Sequence, residues 1–160
     1  MGRYYNTQTG KEGKFWFAVQ PSDDPKTIYH MDEIEPDDEW DEESGYSESY
    51  ADFESDDAES IKKHLDEQYD ILGVPKEERK YECENEGEYV WETLSKYYLT
   101  EKEPSKDEAY KVCGYYMGED KPTMYPINKD KELAASRVQL GLVIYNTILT
   151  EGECLLTAEF

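Results

Sequence analysis

Residues 27–61 contain no Lys and no Arg but carry fifteen carboxylates, and this block constrains the fold more than any other stretch. Unpaired carboxylates cannot be buried without a cost that outweighs the stability of a domain. The block therefore has to be a solvent-facing excursion. Residues 1–26 sum to +1, residues 27–61 to −15 and residues 62–160 to −8, which together give the net charge of −22. Two thirds of the net charge sits in under a quarter of the chain. Trp40, Tyr46, Tyr50 and Phe53 are threaded through the block, so it is not purely polar.

Composition decides whether the remainder folds. At 160 residues the chain is long enough for one domain with a real core. A hydrophobic content of 37% and a charged content of 35% lean toward disorder. Fifteen Tyr, four Phe and three Trp point the other way, because a disordered acidic chain has no use for so many aromatics. The expected organisation is a single domain over 1–160 with an acidic excursion over 21–55.

The three cysteines (Cys83, Cys113 and Cys154) have neither zinc spacing nor a disulfide framework. The first residues lack the apolar run of a signal peptide. The longest apolar stretch, 140–149, is ten residues long and too short to span a bilayer. These features lead us to expect an intracellular chain in a reducing compartment, with no cofactor. The acidity disfavours direct contact with nucleic acid or membrane and favours a basic protein as partner.

Residues 1–13 read as an irregular arm. Residues 14–20 read as a strand that is apolar on both faces and stopped by Pro21, hence central in a sheet. Residues 22–25 read as a turn and 26–45 as mostly loop, with a second strand over 46–53. Asp56 and Glu59 form a capping box for a helix whose stripe is Ile61, Leu65, Tyr69 and Leu72, ended by Gly73. Further helices are expected over 88–99 and 105–117, with a loop over 118–126. Over 131–150 the stripes Leu133, Arg137, Leu140, Ile144, Ile148 and Ala134, Val138, Gly141, Tyr145, Leu149 predict a widely buried helix. Residues 154–160 alternate as a strand, a natural neighbour for 14–20. The fold class expected is α+β: a small antiparallel sheet packed against three or four helices, with a long acidic loop.

Gly2, Arg3, Tyr4 and Tyr5, the run from Gly13 to Gln20, and the closing run from Gly152 to Phe160 resemble the ends of small viral and phage proteins of no assigned activity. The resemblance covers roughly thirty residues and excludes the acidic block. It implies a shared α+β core and a viral or mobile-element origin.

The block itself admits three functions. Duplex DNA carries one charge per ~1.7 Å, so fifteen carboxylates match roughly 25 Å of duplex if folded to that density. A flexible acidic arm for basic proteins is the second option. Metal binding is the third. Asp52, Glu54 and Asp56 have the alternate spacing of a calcium loop, but Asp57 stands where an EF-hand needs Gly and Lys63 where it needs Glu. The bland alternative is a solvated loop. Gly10 to Lys14 lacks the strand–loop–helix context of a phosphate loop and reads as a turn. A thiol of Cys83 or Cys113 could be activated only by His30 or His64, and nothing in the sequence places either beside it.

The expected function is non-catalytic: a nucleic-acid mimic that blocks a basic, nucleic-acid-binding protein surface. Asp37, Asp38, Glu39, Asp41, Glu42 and Glu43 would supply the charge, and Trp40, Tyr46 and Tyr50 the apolar contacts. The alternative is a structural or virion-associated protein with a tyrosine-rich interface that includes Tyr97, Tyr98, Tyr115 and Tyr116.

Overall fold

The computed structural model describes residues 4–7, 13–16, 24–34, 50–102 and 119–159. The fold is α+β. Among the described residues, five short strands form an antiparallel sheet in the order β2-β1-β7-β4-β3: β1 (Tyr4–Thr7), β2 (Gly13–Trp16), β3 (Asp32–Ile34), β4 (Tyr50–Ser55) and β7 (Cys154–Glu159). Period-2 alternation puts Tyr5, Phe53, Cys154, Leu156 and Ala158 on one face, all buried. Against that face pack α2 (Ala58–Leu72) and α5 (Lys129–Glu151), which also pack on each other.

The two long helices have local reasons to start and stop where they do. The Asp57 side chain accepts from the Ser60 amide at 3.1 Å and opens α2, one residue later than the predicted capping box. Gly73 ends it at φ +90°, a conformation that a side chain would strain. Ile61, Leu65, Tyr69 and Leu72 are buried as their spacing predicts. Asn128 caps α5 through the Lys131 amide at 2.8 Å, and Gly152, at φ +85°, closes it. The inner part of α5 buries Ala134, Val138, Leu140, Gly141, Ile144 and Ile148. Leu149, expected in the second stripe, is 45% exposed.

Several expectations need correction. Residues 4–7 are a strand, not an arm. β1 lies between β2 and β7, so the strand beginning near residue 14 does not pair with the closing strand. It ends the described sheet instead of occupying its centre. A hairpin between β1 and β2 closes a short loop, which costs less entropy than pairing across the length of the chain. The second strand, expected over 46–53, is described over 50–55, two residues further than expected, and 46–49 lie outside the described residues. Residues 24–27 form one helical turn, α1 (Asp24–Thr27), and 32–34 form β3, where turn and loop were expected. The helix expected over 88–99 is composite: α3 (Glu86–Glu88), a π turn (Tyr89–Thr93) and α4 (Ser95–Tyr98). It is followed by β5 (Leu99–Thr100), paired with β6 (Tyr125–Pro126) where a loop was expected. The helix expected over 105–117 lies outside the described residues.

One buried polar atom stands out. Gln68 Oε1 on α2 has no hydrogen-bond partner among the described residues, although the residue is only 5% exposed. An unsatisfied buried acceptor costs about 1–3 kcal/mol. Gln68→Met, of similar volume, should raise the urea midpoint by an amount equivalent to ~1 kcal/mol. An unchanged or lower midpoint would mean that Oε1 is satisfied in solution.

Candidate functional site

β3 and β4 are antiparallel, and residues 35–49 are the connection between them. The acidic block is therefore rooted on the β3 end of the sheet. Of its predicted contact residues, Asp37, Asp38, Glu39, Trp40, Asp41, Glu42, Glu43 and Tyr46 lie outside the described residues. Tyr50 opens β4, in register with Glu159 of β7. The described part of the block gives the geometry of the root.

Asp32 sits directly opposite Glu54 in the β3–β4 ladder, and Ile34 opposite Asp52. Like charges at opposed positions destabilise a sheet by a few tenths to about 1 kcal/mol. Asp32, Glu54, Ser55, Asp56 and Glu153 line a cleft of about 250 Å³. Glu153, from the turn between α5 and β7, is a member that a reading focused on 27–61 could not supply. Among the described residues, no ion pair reaches Asp32, Glu54, Asp56 or Glu153. Asp52 is held differently: Thr157 Oγ1 donates to it at 2.5 Å. Glu33, on the other face of β3, accepts from Lys26 Nζ at 3.0 Å. Asp52, Glu54 and Asp56 belong to a strand and its exit, not to a calcium-binding loop. Among the described residues no group of three or more metal-ligating side chains converges.

The root is fixed to the core by the segment just before it. Arg137 of α5 donates to both carboxylate oxygens of Asp24 through one guanidinium edge, Nε to Oδ2 at 2.9 Å and Nη2 to Oδ1 at 3.1 Å, with Asp24 fully buried. Tyr29, also fully buried, donates to the Arg137 carbonyl and packs its hydroxyl end closely against Gly141. An Arg within an otherwise apolar stripe was the sequence signal for this pair. The residues that follow, His30 at φ +53° and Met31, lead straight into β3. His30 stacks on His64 of α2 with ring centroids 4.3 Å apart, and His64 Nδ1 lies 3.2 Å from Glu67.

Four described cations lie elsewhere, over tyrosine rings. Lys62 lies over the Tyr81 ring at 4.6 Å, Arg79 over Tyr69 at 5.5 Å, Lys80 over Tyr89 at 5.7 Å and Lys96 over Tyr97 at 5.2 Å. Arg79 also donates to Val74 O at 2.9 Å and to Asp66 and Asp70. Several tyrosine hydroxyls are similarly occupied. Tyr69 donates to Lys80 O at 2.5 Å, Tyr98 to Val90 O at 3.2 Å, Tyr81 to Asp66 and Tyr97 to Glu78. Tyr98 is buried, so it fills the core. Tyr115 and Tyr116 lie outside the described residues.

The described thiols are poor nucleophiles. Cys83 lines a hollow of about 420 Å³ with Glu82, Glu84, Glu88 and Glu92, and burial and then Glu86 push its pKa up. Burial drives Cys154 from an ordinary 9.0 up to about 12. The two histidines face each other, and Cys113 lies outside the described residues.

These burial effects set the alkaline limit of the fold. Below about pH 9 the Cys154 thiol is protonated in both folded and unfolded states, and its contribution is fully present. As pH rises from there toward 12 the unfolded thiol ionises and the folded one does not, so stability falls by about 1.4 kcal/mol per pH unit. Tyr29, Tyr69 and Tyr98, raised above 10.0 chiefly by burial, add the same sign above that pH. The melting temperature should drop steeply above about pH 9, and Cys154 should resist alkylation until the chain unfolds. A melting temperature flat to about pH 11 would contradict the burial of these groups.

Among the described residues no helix is long and apolar enough to cross a membrane. No protein-family model, no curated protein and no solved structure matches this chain.

Proposed function

We propose that the chain is a non-catalytic acidic binding protein that occupies a basic, nucleic-acid-binding surface of another protein and blocks it. One observation carries this reading, the segregation of charge. The exposed carboxylates Asp32, Glu54, Asp56 and Glu153 share a cleft that no described cation neutralises, whereas four cations lie on tyrosine rings elsewhere. A solubilising loop has no need to hold like charges opposite one another on a strand pair. The cleft is continuous in sequence with Asp37, Asp38, Glu39, Asp41, Glu42 and Glu43, which extend the charge over the connection. Trp40, Tyr46 and Tyr50 supply apolar contact to the partner. The setting is a host cytoplasm or nucleus, and the gene is viral or carried by a mobile element.

The occupied hydroxyls of Tyr97 and Tyr98 support this reading over an interface built on tyrosine, since both side chains already serve the fold.

Pull-down from host extract at low salt, followed by competition with duplex DNA, tests the proposal. Binding should weaken steeply with added salt, because attraction between exposed charges is screened within ~10 Å at 0.1 M. Neutralising 37–43 with Asn and Gln should weaken it by about tenfold or more at low salt. A neutralised chain that holds its partner as tightly as the parent chain sinks the reading.

A further inference from the structure

We infer that β3 is a docking edge for an extended basic segment of the partner, with Lys or Arg at alternate positions, which adds to the sheet as a further strand. This rests on the acidic-surface reading and narrows it from a basic surface to a basic strand.

Sheet topology is the first support. β3 ends the strand order, and among the described residues only β4 pairs with it. In an antiparallel ladder the backbone groups of successive residues point alternately toward and away from the partner strand. One or two of residues 32–34 therefore direct both N–H and C=O outward. Such an edge is a template for strand addition.

Charge selects the occupant. Asp32 and Glu54 lie on the same face, so a strand placed beside β3 with a cation at every second residue sets those cations along that row. Lys26 already shows the fit on the opposite face, reaching Glu33 at 3.0 Å while both stay exposed. A second copy of this chain is a poor occupant, because it would set Asp32 and Glu33 against their own kind. Short charged edges commonly serve to prevent strand pairing. An acidic edge repels acidic strands and is indifferent to neutral ones, but it attracts basic ones.

The test uses the full chain and a fluorescein-labelled octapeptide of alternating Lys and Thr. A second peptide of the same sequence has its central amides N-methylated, which keeps the charge and removes the donors. The parent peptide should bind at low salt and protect amides of 32–34 from hydrogen exchange. The methylated peptide should bind about tenfold more weakly, and D32N/E54Q should weaken the parent peptide by a similar factor. Equal binding of the two peptides would show attraction by charge alone, which overturns strand docking and leaves the acidic-surface reading standing. If neither peptide binds, or if D32N/E54Q changes nothing, docking at β3 is overturned, and salt-sensitive competition decides the broader reading separately.

Discussion

Gly141→Ala should destabilise the fold by roughly 2–4 kcal/mol, although alanine is the better helix former. In an exposed helix interior the same exchange stabilises by about 0.8–1 kcal/mol, so the sign of the effect is itself diagnostic. A Cβ on Gly141 would lie inside contact distance of Tyr29 Oη and Cζ and 2.7 Å from Cε1. Tyr29 has no room to yield: it is fully buried, its ring is rigid and its hydroxyl is committed to the Arg137 carbonyl. For a chain of this size the melting temperature should fall by roughly 5–15 °C. Tyr29→Ala, costly alone, makes room for the new methyl, so Y29A/G141A should be less damaging than the sum of its parts by about 1 kcal/mol or more. A Gly141→Ala chain as stable as the parent would show that the 28–31 segment does not pack on α5 as described.

Asp24→Ala should cost roughly 2–3 kcal/mol. Breaking a buried ion pair from one side typically costs about 3–5 kcal/mol, because the remaining charge stays in a poor solvent. The lower figure applies because the Arg137 side chain retains 19% exposure, so water screens part of the loss. The pair is charge-assisted and bidentate and joins residues 113 positions apart, so it ties the start of the acidic block to α5. Replacing both partners, as in D24L/R137M, removes the stranded charge and should recover most of the stability. Urea unfolding of the two singles and the double would settle it. A double variant as unstable as the two singles combined would assign the loss to packing rather than to the pair. Because the segment leads into β3, D24A should also weaken partner binding, whereas Gln68→Met should leave it unchanged.

The sequence revealed the elements with strong periodicity and missed those whose position depends on distant partners. α2 and α5 were readable because Ile61, Leu65, Tyr69 and Leu72, or Ala134, Val138 and Gly141, repeat at helical spacing and end at glycines. β7 was readable from its alternation. β1 and β3 are four and three residues long, too short for any periodic signal, and are strands only because β7 and β4 offer them ladders. The strand near residue 14 was misplaced for a related reason, since an apolar run says nothing about which neighbour takes it. Of the candidate site, the charge was legible as composition. Its focus was not: Glu153 lies about a hundred residues beyond the block and reaches the cleft only because the turn after α5 precedes β7, which pairs with β4.

β7 joins two hairpins that have no other described link within the sheet, β1–β2 on one side and β3–β4 on the other. It is also translated after every other element of that sheet. The two half-sheets therefore wait for the strand between them, with the apolar faces of Tyr5 and Phe53 open to solvent until it pairs. Sheet formation is dominated by long-range closure, which makes for slow folding and a window for misassembly. In that interval the −15 of residues 27–61 adds like-charge repulsion between copies of the chain.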